Sequence, residues 1–237
     1  MDRLPPTQRA GWKLHVSALP HQYGEVVATV LPCLEALNHP FKILQSAKLL
    51  ERMNDGGFGL MQVGKAITIY PPEEGDAAKA AERLAETLDG YAGPYIASDT
   101  RFCETAPVYF RFGPFDLRYQ IDLSGQRHRL LLHPELGEVV DDPARVPSPP
   151  VQFLPEAMPY DHLAYLRAHF DFYRCLQLSA KGATFLGAPK QAPDRPVLLK
   201  SAKAGTQSDM HGRDAVWALY RENALLERLA PLGIAPP

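Results

Sequence analysis

Cysteine is scarce in this sequence: its 237 residues contain only Cys33, Cys103 and Cys175, with no C-x-x-C pair. An odd, widely spaced set argues against a disulfide framework and against a thiolate-bound metal or redox site. Long apolar runs are also missing, and the amino terminus has no signal-peptide core. We therefore expect reduced thiols in a soluble, cytoplasmic protein.

A strong charge of either sign is absent as well, since the formal net charge is -2 and the sequence pI is about 6.4. No global field would draw nucleic acid or acidic lipid, so we expect neither partner. There is no H-E-x-x-H run and no acidic cluster, and the eight histidines are scattered, which predicts no metal site. Gly56, Gly57 and Gly59 do not fit G-x-G-x-x-G.

Regular hydrophobic patterns begin with GWKLHVSA at residues 11–18, which alternates like a half-buried strand and places Lys13 and His15 on one face. Further patterns predict a helix over 22–37 that Pro32 should kink or shorten, a strand over 41–44, a helix capped by Ser46, a strand in AITIYPP and a helix over 73–88. This order of elements indicates an α+β fold.

Two features organise the rest of the chain. PVYFRFGPFDLRYQID is typical of two strands joined across a Gly113-Pro114 turn. Six prolines between Pro143 and Pro159 predict an extended connection. We place a domain boundary there, with a first domain over 1–158 and a second part over 159–237.

Basic and aromatic side chains recur on the polar faces of the predicted strands: Lys13, His15, Tyr70 and Arg111, with Lys42 and Lys65 nearby. Such a cluster suits a phosphate dianion. A sheet with one solvent-exposed face also presents such side chains to water. The pattern alone therefore leaves open whether these residues form a phosphate site or an ordinary polar surface.

Five segments resemble, in order and approximate spacing, the amino-terminal lyase domain of class III and IV lanthipeptide synthetases. They are GWKLHVSA, PFKIL, GKAITIYPP, GPYIASDTRF and PVYFRFGPF. The domain is similar, more distantly, to bacterial effector phosphothreonine lyases. The resemblance implies a mixed sheet with flanking helices and a cofactor-free β-elimination of phosphate from phosphoserine or phosphothreonine.

The resemblance also implies roles for four residues. Lys42 matches the family's general base and His15 its general acid, the latter needing its imidazolium form. Lys13 would stabilise the developing enolate, and Tyr70 would orient the phosphate or the base.

Phosphate binding would come from side chains with charged donors, and guanidinium groups match phosphate oxygens in bidentate fashion. The candidates are Lys65, Arg101 and Arg111, with Arg118 as a further one.

The second part resembles the start of a protein-kinase fold. From about Arg174 two glycine-linked strands are followed by a third, VLLK, that carries Lys200. Glu222 lies in a helix-like run where kinases place the partner of that lysine. The chain stops at Pro237 before any H-R-D or D-F-G segment, so we expect ATP and magnesium to bind only in a complete kinase.

The sequence thus predicts a lyase that forms dehydroalanine or dehydrobutyrine in a phosphorylated precursor peptide, within a multidomain synthetase that also carries a kinase and a cyclase. One alternative is an effector-type lyase that acts on a signalling kinase. Another is a non-catalytic phosphopeptide-binding module, which would need neither Lys42 as a base nor His15 as an acid.

Overall fold

A computed structural model of the chain describes residues 8–143, 145–146, 148–149 and 163–234. The predicted extended connection lies largely outside these residues, and the predicted boundary at 158/159 lies wholly outside them.

Five strands form the first sheet, in the spatial order β2-β3-β1-β5-β4. They are β1 (Ala10–Val16), β2 (Phe41–Ile43), β3 (Ile67–Ile69), β4 (Thr100–Arg101) and β5 (Val108–Pro114). Leu14 of β1 lies opposite Ile69 on one side and Phe110 on the other. β1 is therefore the central strand, which fits its burial on both faces.

The described pairings of this sheet are all antiparallel, so the predicted mixed sheet is wrong for these strands. The reason is an inserted strand. A helix connects β1 to β2, and these two strands run in the same direction. However, β3 lies between them and runs opposite to both.

Three helices accompany this sheet: α1 (Tyr23–Leu37), α2 (Ala47–Asn54) and α3 (Glu74–Thr87). α3 buries a stripe at helical spacing, Ala77, Ala80, Ala81 and Leu84, and packs against α1, β1 and β5. The small alanine side chains let the helix approach the sheet closely. The core therefore lies between these helices and the face of β1 that carries Leu14.

Local signals explain the helix ends. Ser46 Oγ accepts a hydrogen bond from Leu49 N at 3.3 Å, which confirms the predicted cap of α2. α1 continues through Pro32 to Leu37, so the proline does not shorten it. The apolar face of α1 is buried against the core, and this packing outweighs one lost backbone hydrogen bond.

A second, smaller sheet contains β6 (Tyr119–Ile121), β7 (Arg127–His133) and β8 (Gly137–Val140), in the order β6-β7-β8. The predicted hairpin across Gly113-Pro114 is wrong. These residues complete β5 opposite the first residues of β1, and β6 pairs with β7 instead. The real turn is at Asp122, whose Oδ1 accepts from Ser124 N at 2.8 Å and Gln126 N at 3.0 Å.

The second part of the chain folds as the sequence predicts, with three strands and then a helix. α4 (Ala164–His169) precedes β9 (Phe170–Ser179), β10 (Gly182–Pro189) and β11 (Val197–Ala202), which pair in the order β11-β10-β9. α5 (Ala215–Leu229) follows. Short 3-10 helices lie at Pro20–Gln22, Leu60–Gln62 and Ala230–Leu232.

The loop before α5 packs against the first part of the chain. A Cβ on Gly205, whose φ is +76°, would lie 2.8 Å from Pro94 N, so this contact needs glycine. Gly205 N also donates to Asp214 Oδ2 at 2.8 Å, and Asp214 caps α5. Among the helices that the structure describes, none is long and apolar enough to cross a bilayer.

Candidate active site

The sheet register aligns five of the polar side chains in one row across the strands. His15 lies opposite Thr68 on one side and Tyr109 on the other. Lys42 lies beyond Thr68, and Arg101 lies beyond Tyr109. Directly paired residues share a sheet face, so a row spanning all five strands presents its side chains on the face opposite the helices.

The adjacent row contains Lys13, which lies opposite Arg111. Tyr70 follows β3 and approaches Lys13 from the other side, where the Lys13 Nζ is 5.6 Å from the centroid of the Tyr70 ring. Lys65 precedes β3, and its Nζ reaches the same region by contacting Asp99. The structure therefore brings Lys13, His15, Lys65 and Arg111 together, and we call these four residues the buried basic cluster.

This face of the sheet is not wet. Lys13 is 8% exposed, His15 3% and Lys65 8%, so the interpretation as ordinary solvent-facing side chains is wrong for these residues. β7 of the second sheet packs against both β1 and β5. Burial of several basic groups costs free energy unless carboxylates or a ligand compensate them, which is typical of a functional site.

Lys13 lies in a buried, electropositive environment. Its Nζ donates to Pro114 O, a carbonyl that also accepts from Arg129 at 3.3 Å. Burial, followed by the positive charges of Arg129 and Arg111, lowers the pKa of Lys13 to about 7. The amine is therefore poised between its neutral and charged forms near neutral pH.

His15 and Lys65 share a carboxylate. His15 Nδ1 hydrogen-bonds Asp99 Oδ2, and Lys65 Nζ lies 3.4 Å from Asp99 Oδ1. Burial lowers the pKa of both basic groups, and Asp99 opposes that shift in each case. Burial by itself would raise the pKa of Asp99, but the charges and hydrogen bonds of His15, Lys65 and Ser98 lower it below the usual value. Asp99 is therefore ionised at neutral pH.

Arg111 forms an ion pair with Asp141, which follows β8, and both side chains are largely buried. Beside this pair is a cavity of about 450 Å³, whose lining includes Arg111, Asp141, Asp99 and Met61. Its size suits a phosphorylated side chain with part of its peptide backbone. The cationic donor at its wall is already engaged by a carboxylate that an incoming anion would have to replace.

Lys42 is exposed on the edge strand β2, and its Nζ lies 5.6 Å from the centroid of the Tyr70 ring. The ring is therefore flanked by the amines of Lys42 and Lys13, and it makes an edge contact with Phe115. A cationic group over an aromatic ring is attracted to the negative face of the ring. Lys42 thus joins the cluster through Tyr70 and stays accessible to solvent.

Two of the predicted arginines lie elsewhere. Arg101 stacks its guanidinium 6.0 Å from the Tyr109 ring centroid and donates to Glu104 O, at the far edge of the sheet. Arg118 pairs with Asp116 and Glu138 in an exposed network. In the part of the chain that the structure describes, the polar contacts of Arg118 are with these two carboxylates and not with the buried basic cluster.

Asp99, Asp141 and Arg129 belong to the site but are absent from the sequence prediction. Asp99 lies in the segment GPYIASDTRF, in which Arg101 was predicted to bind phosphate and no role was predicted for Asp99. Asp141 and Arg129 come from the second sheet, whose hairpins have no strong sequence signal. Within the described residues, no group of three or more His, Cys, Asp or Glu side chains lies close enough together to hold a metal ion.

A second cleft, of about 140 Å³, lies between β10, β11 and α5. Lys200 Nζ on β11 forms an ion pair with Glu222 on α5, as the spacing of 22 residues predicts. Both side chains are nearly half exposed, and both line the cleft together with Thr184.

Comparison with known proteins covers both parts of the chain. The family model described as RamC, N-terminal domain, matches residues 3–161. The chain is also 33% identical to the "Probable SapB synthase" of Streptomyces coelicolor (strain ATCC BAA-471 / A3(2) / M145). That alignment covers 95% of this chain but only 25% of the relative, so the chain spans about a quarter of the relative's length.

Proposed function

Because this chain belongs to the RamC N-terminal domain family and is similar to class III/IV lanthipeptide synthetases, we propose that its first part is a phosphoserine/phosphothreonine lyase. The substrate would be a phosphorylated precursor peptide, and the products would be dehydroalanine or dehydrobutyrine and inorganic phosphate. The role in lanthipeptide biosynthesis rests on the two similarities. The lyase reaction is what the resemblance to the synthetase lyase domain implies, and the geometry of the site supports it.

The observation that carries the proposal is the buried basic cluster, whose member Arg111 lines the cavity and whose members His15 and Lys65 contact Asp99 at the same wall. Burial of four basic side chains would be costly in a purely structural role, since within the described residues the carboxylates that pair with them are Asp99 and Asp141. A phosphate dianion would supply the missing negative charge. The arrangement therefore suits an anionic substrate better than a solvated surface.

Elimination needs a base at Cα, an acid at the bridging oxygen and stabilisation of the enolate. In our proposal Lys42 takes the Cα proton, and the electron pair of that bond becomes the Cα=Cβ double bond. The Cβ–O bond then breaks, and phosphate leaves with its electron pair while His15 protonates the bridging oxygen. Atoms and charge balance without a cofactor.

Lys13 suits the enolate role because its ammonium form would donate a hydrogen bond to the substrate carbonyl as negative charge develops there, and a pKa of about 7 leaves part of the amine protonated near neutral pH. Tyr70 lies between Lys13 and Lys42 and would orient the base. Lys65 and Arg111 would bind the phosphate, with Arg111 exchanging Asp141 for the substrate. Arg101 and Arg118, which lie apart, would act at most on the flanking peptide.

For the second part we propose a unit that resembles the N-lobe of a protein kinase. The ion pair of Lys200 and Glu222 in a small cleft supports this, because kinases use such a pair to position nucleotide phosphates. In a complete kinase these residues would help to hold ATP and its magnesium. ATP supplies the phosphoryl group. Kinase and cyclase domains in a longer synthetase are likewise proposals, since the chain spans a quarter of its relative.

The test is mass spectrometry of a phosphoserine peptide incubated with this chain in EDTA. Elimination removes phosphoric acid, about 98 Da, whereas hydrolysis removes about 80 Da. We expect elimination by the wild type, its loss in Lys42→Ala and His15→Ala, and its retention in Lys48→Ala, a control at an exposed lysine of α2. Tight binding without a mass change would instead identify a phosphopeptide-binding module.

A further inference from the structure

Asp99 is a carboxylate that no solvent reaches, since its side chain is 0% exposed. Its Oδ2 hydrogen-bonds His15 Nδ1, and its Oδ1 accepts from Ser98 Oγ at 2.6 Å and lies 3.4 Å from Lys65 Nζ. Both carboxylate oxygens are therefore engaged. A buried charge with this many partners holds its position and fixes theirs.

The backbone around Asp99 is tied to the strand that carries His15. Ser17, which directly follows β1 and lies two residues from His15, donates from Oγ to Pro94 O at 2.7 Å. Asp99 N donates to Ile96 O at 3.1 Å, and Ile96 is fully buried. Hydrogen bonds therefore link the segment that carries Asp99 to the segment that carries His15. These bonds help to fix the position of the carboxylate relative to the imidazole.

We propose that Asp99 is the positioning residue of His15, holding the imidazole through Nδ1 so that Nε2 is the nitrogen that delivers the proton to the leaving phosphate. This inference rests on the proposed lyase function. A carboxylate at Nδ1 fixes the ring orientation and keeps the Nδ1–H tautomer. Within the described part of the chain, Asp99 is the one hydrogen-bond partner of the His15 side chain.

The charge of Asp99 also favours the protonated ring that a general acid requires. The groups that face His15 are Asp99, Lys65, Lys13 on its own strand and Tyr109 directly opposite on β5. Both lysines disfavour the imidazolium, and Asp99 is the group that favours it. Removal of the carboxylate should therefore reduce the protonated fraction of His15 at a given pH.

The chain contains a matched control for this pair. His128 Nε2 hydrogen-bonds Asp122 Oδ2 at 2.7 Å in the turn of the β6–β7 hairpin, where both side chains are about one third exposed. Asp122→Asn makes the same chemical change to the same kind of pair, away from the site. This variant shows what a carboxylate-to-amide change in a His–Asp pair does outside the site. Any additional effect of Asp99→Asn can then be assigned to the place of Asp99 beside His15.

The experiment compares wild type, Asp99→Asn and Asp122→Asn on a phosphoserine peptide over a pH series. For Asp99→Asn we expect kcat to fall roughly 100-fold with KM changed less than about threefold, within the range a general acid contributes. The alkaline limb of the kcat profile should move to lower pH, because the imidazolium is less stable. Asp122→Asn should match the wild type in all three respects.

A nitrogen-15 NMR measurement of the wild-type His15 ring keeps the inference testable even if Asp99→Asn fails to fold, with His15→Gln used to assign the signal. The neutral ring should carry its proton on Nδ1. A proton on Nε2, or an Asp99→Asn profile that superimposes on that of Asp122→Asn, would overturn the positioning role. Absence of elimination by the wild type would instead overturn the proposed function, and with it the acid role of His15.

Discussion

Replacement of Lys13 by methionine should stabilise the fold while it abolishes elimination. Lys13 is buried and its pKa falls from 10.5 to about 7, mainly because of burial and then because of Arg129 and Arg111. At about 1.4 kcal/mol for each pH unit, the folded protein loses roughly 4 kcal/mol near pH 7 by accommodating this amine. Methionine fills a similar volume without that penalty.

The gain should be partly offset by the lost hydrogen bond to Pro114 O, which is worth about 1 kcal/mol. That carbonyl is not left unsatisfied, since Arg129 still donates to it at 3.3 Å. We therefore expect Lys13→Met to raise the free energy of unfolding by about 2–3 kcal/mol near pH 7. A buried charge that costs this much is explained by function and not by stability.

The sign of the pH dependence gives the sharper test. Because the folded-state pKa of Lys13 is lowered, its cost is fully present below about pH 7 and disappears as the pH rises through the unfolded value of 10.5. The stability difference between Lys13→Met and wild type should therefore shrink as the pH rises from 7 towards 10.

Urea denaturation of both proteins at a series of pH values measures this difference, with Lys48→Met, at an exposed position of α2, as the control. The control should show little difference from wild type at any pH. The reasoning would be refuted by a Lys13→Met protein less stable than wild type near pH 7, or by a stability difference that does not vary with pH.

Three further predictions concern other contacts. Asp141→Asn should lower the KM for a phosphopeptide by roughly 10-fold, because Arg111 would no longer be shared with a carboxylate; an unchanged or higher KM in steady-state kinetics would contradict this. Gly93→Ala should destabilise the fold by more than about 3 kcal/mol in urea titrations, because its Cβ would lie 2.4 Å from a side-chain oxygen. The control is Gly75→Ala in α3, whose Cβ would have no atom within 4 Å, and it should be neutral or stabilising. Asp214→Ala, which uncaps α5, should cost about 1–2 kcal/mol by the same measurement, and equality with wild type would show that the cap contributes nothing.

The sequence by itself determined the local elements of this protein. The alternation of Trp12, Leu14 and Val16 predicted β1, Ser46 predicted the start of α2, and the glycine-linked strands before Lys200 predicted the sheet of β9, β10 and β11. These signals are local, because strand alternation and helix capping depend on residues a few positions apart. The pairing of Lys200 with Glu222 was implied by the resemblance to the kinase fold, in which the helix after that strand carries the partner of the lysine.

Only the tertiary structure decided how these elements meet. The insertion of β3 between β1 and β2 and the extension of β5 through Gly113-Pro114 opposite β1 depend on long-range contacts that no local pattern specifies. The second sheet matters most for function, because Asp141 reaches Arg111 across thirty residues of sequence.

Some features of the candidate site could likewise be predicted from the sequence, and others depend on the folded structure. The sequence identified Lys13 and His15 on one face of a strand, because side chains of a strand alternate strictly. It could not show that this face is buried, or that Asp99, 84 residues from His15, holds the imidazole. Burial and carboxylate partners set the pKa values of these groups, and both are properties of the folded chain and not of any segment of it.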